Sequence, residues 1–241
     1  MERKNPRRLV LPGDDIADAK EYKPGENTYE CEDRIRAGIL GTVDFRGNIV
    51  SVMPAGGRYL PKIGDTVIGV INDVGPSNWM IDINAPWPAP LHVSEVPWKV
   101  EFGDTTTYLT VGDVVLIKIL NVDESKKISA TMKDSGLRKI EGGQLIEIDH
   151  NKISRVIGKA GSMISMLKNM TDCRITVGQN GRIWIDGDDE NAAVAAAAIK
   201  KIEAEARMPN LTERIEDFIS EKLPGAESYR QNDDDEEEES E

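Results

Sequence analysis

The sequence contains few of the residues that build disulfide frameworks and metal sites. Among its 241 residues there are two cysteines, Cys31 and Cys173, and two histidines, His92 and His150. There is no CxxC pair and no close pair of histidines, so neither a structural disulfide nor a zinc site is indicated. We expect no metal and no cofactor.

Long apolar runs are also lacking. The longest, Val194 to Ile199, is mostly alanine and is far shorter than the roughly 20 residues that cross a bilayer. The basic segment from Met1 to Arg8 is not followed by the apolar stretch of a secretory signal. We therefore expect no membrane association and a cytoplasmic location.

The sequence has no recognisable catalytic motif. It contains neither a Gly-x-Ser-x-Gly nucleophile elbow nor a Walker lysine motif, and its histidines are isolated. Its carboxylates lie mostly at turns, at helix starts and near the carboxyl end. We predict that the protein is not an enzyme.

The charge is unevenly distributed. A formal net charge of -13 disfavours RNA binding, because phosphate contacts require Lys and Arg. However, eight of the nine residues from Asp233 to Glu241 are acidic, and without them the charge is -5 (-13 + 8). We predict that 225–241 is a disordered acidic tail that serves solubility or, alternatively, competes with RNA for basic surfaces. Between His150 and Ile175 one acidic residue, Asp172, faces five basic residues: Lys152, Arg155, Lys159, Lys168 and Arg174.

The first two thirds of the chain predict strands without long helices. Short apolar pieces separated by Gly, Pro and Asn predict a small all-β domain over 1–58. Longer strand patterns over 59–137 predict a small β-barrel. The strands expected in this barrel are Ile63–Ile71, Trp79–Ile83, Val111–Leu120 and Lys127–Thr131.

The last third changes to helical periodicity. Residues 141–208 predict the order β-α-α-β-β-α, with Asn151 and Ser162 as the caps of the first two helices. The pair Asn180-Gly181 predicts a hairpin turn between the last two strands. A further helix is expected in 209–224, with Asn210 as its cap.

The segment between the first two helices of this region, Gly158-Lys159-Ala160-Gly161, resembles the backbone-clamping loop of the KH family. Glycines allow close approach of a phosphate backbone, and a helix amino terminus attracts anions. The resemblance implies that about four nucleotides of single-stranded RNA lie along this loop. The candidate contacts are Arg155 and the loop residues Gly158, Lys159, Ala160 and Gly161, with Ile157, Ile164 and Ile175 lining a groove for the bases.

The barrel resembles the OB-fold type named after ribosomal protein S-one, a family that binds single-stranded RNA. The resemblance rests on Gly64-Asp65-x-Val67-x-Gly69-x-Ile71, on Leu91-His92-Val93-Ser94 and on the pattern that begins at Val111-Gly112-Asp113. It implies that Trp79 and His92 are candidates for base stacking. The chain departs from the family at Gly75-Pro76-Ser77-Asn78-Trp79 and in an extra segment from Pro97 to Tyr108.

The order of the three domains resembles the RNA-binding cap subunits of the archaeal exosome. That resemblance implies a non-catalytic component, three per complex, which docks through 1–58 on a ring of RNase PH-like subunits. It would sit beside other cap subunits, recruit RNA and guide its 3′ end to the phosphorolytic sites of the ring for 3′-to-5′ degradation. A translation factor or ribosome-associated protein remains an alternative, because both modules occur there. A phosphorolytic nuclease of the polynucleotide phosphorylase type carries the two modules in the opposite order, after large catalytic domains.

Overall fold

The computed structural model describes residues 8–123, 126–206 and 208–223. The chain divides into two compact units, Met1–Gly57 and Arg58–Glu241. The predicted acidic tail, 225–241, lies outside the described residues. In the part of the chain that is described, no helix is long and apolar enough to cross a membrane.

The first unit is a small all-β domain, as predicted. Its two small sheets, mostly antiparallel with one parallel pairing of β3 and β7, enclose a core that includes Ile35, Val43 and Val52. One sheet has the order β1-β6-β7-β3 and the other the order β2-β5-β4. The strands are β1 Leu9–Val10, β2 Asp15–Asp18, β3 Lys23–Pro24, β4 Thr28–Cys31, β5 Arg34–Ala37, β6 Gly41–Arg46 and β7 Ile49–Pro54.

The sequence pattern missed the β4–β5 hairpin. Its turn residues, Glu32 and Asp33, both adopt positive φ angles of 53° and 60°, a conformation usually signalled by Asn or Gly. The strands themselves are rich in charge, so their alternation is hard to see. Ile35 and Ala37 nevertheless point into the core with 0% exposure.

The second unit begins with a closed five-stranded barrel. The strands pair in the cyclic order β12-β10-β9-β8-β11, which closes through the pairing of β11 with β12. Strand β13 pairs with the first residues of β11, along the same edge that β12 uses further on. A short helix, α1, lies in the extra segment. The elements are β8 Thr66–Val74, β9 Asn78–Asp82, β10 Ala89–His92, α1 Thr105–Tyr108, β11 Val114–Val122, β12 Ile128–Thr131 and β13 Arg138–Ile140.

Two barrel strands start three residues later than predicted. Gly64 and Gly112 have φ angles of 91° and 94° and form turns that precede β8 and β11. In these turns the amide of Asp65 donates to the carbonyl of Lys62, and that of Asp113 to the carbonyl of Thr110. The shared Gly-Asp opening is thus a turn before each strand.

The rest of the unit has the predicted β-α-α-β-β-α order. A three-stranded sheet, β14-β16-β15, packs against helices around a core that includes Val156, Met166 and Ile199. The last helix adds Ile215 and Ile219 to this core. The elements are β14 Gln144–Glu147, α2 Ile153–Ile157, α3 Ser162–Thr171, β15 Arg174–Val177, β16 Arg182–Asp186, α4 Asp189–Glu205 and α5 Leu211–Lys222.

Both predicted caps of α2 and α3 are wrong. A 3₁₀ turn, His150–Lys152, precedes α2, and its cap is Asp149, whose Oδ1 accepts from the amide of Asn151 at 3.0 Å. Ser162 is the first residue inside α3, while Gly161 occupies the cap position with a φ of 88°. The left-handed backbone of the loop therefore leads directly into the helix.

The KH-like region is bonded to the barrel through the loop between β15 and β16. Strand β9 pairs with β8 only from Val70 onward, so Thr66 and Ile68 lack a partner on that side. The amide of Gln179 donates to the carbonyl of Thr66 at 2.9 Å, and the side chain of Asn180 bonds both backbone groups of Ile68. This loop thereby completes the pairing of the barrel strand.

Charge and packing strengthen the same junction. Arg182 is 5% exposed and its guanidinium donates to the Asp82 carboxylate at 2.5 Å, to the Asp82 carbonyl at 2.6 Å and to Glu147 at 2.8 Å. Trp184 packs with Ile68 and Leu116 of the barrel in a separate apolar cluster. The barrel and the KH-like fold therefore form one unit.

Candidate nucleic-acid interface

The loop between α2 and α3 has an unusual backbone. Gly158 ends α2 with a φ of 77°, Ala160 follows at 51° and Gly161 at 88°. Three left-handed residues in four turn the chain sharply, and α3 begins at the next residue. An exposed loop with a helix amino terminus at its end can receive a phosphate backbone.

The two glycines are required for different reasons. At Gly158 an added Cβ would lie 2.7 Å from both the amide nitrogen and the Cβ of Met163, so the space is closed. At Gly161 the nearest atom, from Ile164, is 4.0 Å from such a Cβ, so only the backbone angle demands glycine. The surface at Gly161 is therefore the open side of the loop.

The basic residues around the loop are available to a ligand. Arg155 and Lys159 are exposed, as is Lys168 on α3. Within residues 8–123, 126–206 and 208–223, none of the three is part of an ion pair. Arg174, by contrast, pairs with Asp186 across the β15–β16 hairpin. The free positive charge thus concentrates beside the Gly158–Gly161 loop, where the sequence predicts it.

The three predicted groove isoleucines differ in exposure. Ile157 is 36% exposed at the end of α2, and Ile164 on α3 is half-buried. Ile175 is only 4% exposed and belongs to the core of the KH-like fold. Its prediction as a surface for bases is corrected, because its position on β15 turns it towards the helices.

Trp79 is also a core residue. Its side chain is 0% exposed in the barrel, and its indole Nε1 donates to the carbonyl oxygens of Thr105 at 3.3 Å and Leu109 at 3.2 Å. The ring therefore offers no face to a base, and the stacking prediction is corrected. Thr105 lies in the extra segment, Pro97–Tyr108, and Leu109 follows it directly, so this part of the chain helps to bury the indole.

His92 lies on the barrel surface at the end of β10. Its Nδ1 lies 2.8 Å from the Ser94 hydroxyl and accepts from the Ser94 amide at 3.1 Å. Because Nδ1 accepts, the neutral ring carries its proton on Nε2, which can donate to a ligand. His92 therefore remains a candidate contact.

The sequence-based prediction of barrel contacts did not include the aromatic residues of the extra segment. Trp98 stacks on Tyr108 with ring centroids 5.9 Å apart, and Phe102 is 84% exposed. The concentration of three aromatic residues in twelve positions was a signal that could have identified this surface. Across the described ranges there is no cluster of three or more His, Cys, Asp or Glu residues arranged to hold a metal ion.

Comparisons with known proteins agree with the three-part architecture. Residues 9–46 match the family model described as "Exosome complex exonuclease RRP4 N-terminal region", 58–102 match "RRP4, S1 domain", and 143–191 match "KH domain". The Exosome complex component Rrp4 of Methanosarcina mazei is 46% identical over 88% of this chain and 82% of its own length.

Further relatives give the same result. The Exosome complex component Rrp4 of Thermoplasma acidophilum is 42% identical over 94% of this chain and 95% of its own. A crystal structure described as an exosome complex RNA-binding protein is 38% identical, with a TM-score of 0.65 over 70% of this chain and 98% of that one.

Proposed function

We propose a function for this chain from its family, since it belongs to the Rrp4 family of exosome complex components. In our proposal it is the RNA-binding cap subunit of the complex. It recruits single-stranded RNA and guides the 3′ end to phosphorolytic sites that other subunits carry. The observation that supports this most directly is the Gly158–Gly161 loop with the exposed cations Arg155 and Lys159 beside it, neither of which is in an ion pair within the described ranges.

We further propose that the chain binds RNA without cleaving it. The family model for residues 9–46 carries the word exonuclease, but both histidines of this chain are held by local contacts rather than paired with each other as catalytic groups. His92 bonds Ser94 within its own turn, and the His150 ring packs against Tyr59 with centroids 5.9 Å apart. RNA incubated with the purified chain should keep its length, and it should shorten in a phosphate-dependent manner once RNase PH-like subunits are added.

The first unit has a surface suited to docking on the ring. Across its outer sheet face Leu9, Thr42 and Met53 lie in register, and Leu9 and Met53 are 66% and 38% exposed. Leu9 and Met53 lie on either side of Thr42 on this face, and exposed apolar side chains that cluster on a small domain often mark a protein contact. This supports the proposal that the domain binds RNase PH-like subunits.

The experiment is co-elution of the full chain with RNase PH-like subunits, followed by native mass measurement. The expected mass contains three copies of this chain per ring, or fewer where other cap subunits take part. Leu9→Asp with Met53→Asp should abolish co-elution. Ile49→Asp, at the opposite end of the same sheet face and 45% exposed, is the matched control and should leave it intact.

The alternative is a translation or ribosome-associated factor. Sedimentation of the chain with ribosomal particles, and its absence from fractions containing RNase PH-like subunits, would contradict the cap assignment. The cytoplasmic location expected from the sequence is checked by the same fractionation.

A further inference from the structure

We propose that a cavity beside Trp87, at one end of the barrel, binds a single unstacked base of single-stranded RNA. This inference rests on the proposed RNA-binding function. It adds a second contact point for the RNA strand, separate from the Gly158–Gly161 loop.

Three loops that meet at one end of the barrel form the cavity. They are the segment before β8, the β9–β10 loop and the β11–β12 hairpin. The cavity volume is about 130 Å³, and its lining is almost wholly apolar. The lining residues are Leu60, Pro61, Trp87, Val122, Lys126 and Ile128.

The size of the cavity fits one aromatic ring system. A cavity of about 150 Å³ in another protein is known to hold a benzene molecule. In the lining Ile128 is buried, 4% exposed, while Leu60 and Trp87 are 59% and 40% exposed. An apolar site with an indole in its lining suits a base, because every base has an aromatic face that can stack.

Charge favours RNA as the occupant over an apolar protein side chain. Lys126 is the charged residue of the lining. The hairpin sequence 123–127 is neutral as a whole, and its Asp123 carboxylate accepts from the backbone amide of Lys127 at 2.8 Å. Among the described residues neither lysine forms an ion pair. An ammonium group at the edge of an apolar cavity suits a base that carries its own phosphate, whereas an aliphatic side chain would gain nothing from it.

The cavity lies next to the junction with the KH-like fold. Tyr59, which precedes Leu60, packs its ring against His150 at the start of that fold. Asn84, three residues before Trp87, donates from Nδ2 to the carbonyl of Asn180 at 3.4 Å. Two of the three cavity loops are thus attached to the KH-like fold. An RNA strand bound at the Gly158–Gly161 loop therefore has the cavity as a second contact point on the same unit.

The test is the affinity of the full chain for an oligoadenylate long enough to reach both points, measured by fluorescence anisotropy. Trp87→Ala should weaken binding about tenfold, since one base stacked on an aromatic side chain contributes an effect of that order. Trp87→Phe, which keeps a ring, should stay within about threefold of the unmodified chain. Tyr29→Ala is the matched control, because Tyr29 is an aromatic residue of the first unit that is 44% exposed and does not line the cavity.

Lys126→Gln gives a second readout. It should reduce the slope of log affinity against log salt by about 0.7, the contribution of one phosphate contact on a single strand. An abasic oligoribonucleotide of the same length has no base to stack, so it should bind Trp87→Ala and the unmodified chain equally.

The outcomes separate this inference from the proposed function. If charge reversal at Lys159 weakens binding but Trp87→Ala does not, the cavity proposal is overturned and the RNA-binding function stands. If Trp87→Ala instead reduces co-elution with RNase PH-like subunits and leaves RNA affinity unchanged, the cavity is a protein contact and the inference is wrong. If the unmodified chain does not bind the oligonucleotide, both proposals fail.

Discussion

Asn180, in the loop between β15 and β16, forms hydrogen bonds to both backbone groups of Ile68 in the barrel. Its Nδ2 donates to the Ile68 carbonyl at 2.8 Å and its Oδ1 accepts from the Ile68 amide at 3.3 Å. A third bond runs from Nδ2 to the Ile83 carbonyl at 2.8 Å. Asn180 is 0% exposed, so water does not compete for these hydrogen bonds. Its side-chain amide takes the place of the strand neighbour that Ile68 lacks on this side.

Asn180→Ala should therefore destabilise the second unit. It leaves three buried backbone groups without a partner, and we expect the free energy of unfolding to fall by about 3 kcal/mol. Urea unfolding of the full chain measures this. Gln179→Ala is the control: its Oε1 accepts from the exposed end of β8 at Thr66, where water can replace it, so a loss of about 0.5 kcal/mol is expected. Equal losses for the two variants would contradict the role assigned to Asn180.

The two loop glycines should respond differently to alanine. Gly158→Ala places a Cβ 2.7 Å from the amide nitrogen of Met163 in addition to the strain of a positive φ, and should cost about 3 kcal/mol. Gly161→Ala meets only the backbone strain and should cost about 1 kcal/mol. Thermal and urea unfolding of the two variants compares them directly. A larger loss of unfolding free energy in Gly161→Ala than in Gly158→Ala would contradict this geometry of the loop.

These costs also decide how RNA binding at the loop is best tested. An aspartate at Gly158 would meet the same closed space, so its effect on RNA binding would be mixed with an effect on folding. Arg155→Glu with Lys159→Glu changes only exposed side chains. We expect at least a tenfold loss of affinity for oligoadenylate, with an unchanged urea midpoint.

The salt dependence of that variant gives a second measurement. Each phosphate contact on a single strand contributes about 0.7 to the slope of log affinity against log salt, so two lost contacts should reduce it by about 1.4. Lys20→Glu is the matched control, because Lys20 is an exposed lysine of the first unit. A slope that does not differ from that of the control would argue against phosphate contacts at the loop.

Stability should fall as the pH falls because of His150. Burial lowers the pKa of its imidazole below 6.5, and the opposing effect of Asp149 is smaller. The unfolded chain therefore binds a proton at a higher pH than the folded one. The contribution of the neutral ring is complete above pH 6.5 and is lost as the pH falls through the lowered pKa of the folded state.

Urea unfolding at pH 7.5 and pH 5.5 tests this. Relative to the unmodified chain, His150→Gln should lose less stability between the two values, because glutamine does not titrate. His92→Gln controls for the removal of a surface imidazole, since His92 lies exposed on the barrel. A steeper pH dependence in His150→Gln than in the unmodified chain would contradict the assignment.

Local patterns in the sequence determined much of this protein. The alternation of apolar residues predicts the two β regions, and the change to helical periodicity after Gly142 predicts the β-α-α-β-β-α order, because both depend on neighbours a few residues apart. The Gly158–Gly161 loop is also local: two glycines, a lysine between them and a helix on each side. For that reason its position and its cations could be predicted.

Only the tertiary structure decided the roles of residues whose partners are distant along the chain. The family resemblance makes Trp79 a candidate for base stacking, but its ring is buried and the carbonyl oxygens of Thr105 and Leu109 accept its indole proton. Asn180 is read as a turn residue, yet its amide bonds a strand 112 positions earlier. Spacing reports which face of a strand or helix a side chain shares, whereas burial and long-range hydrogen bonds depend on which segments the closed barrel and the helices bring together.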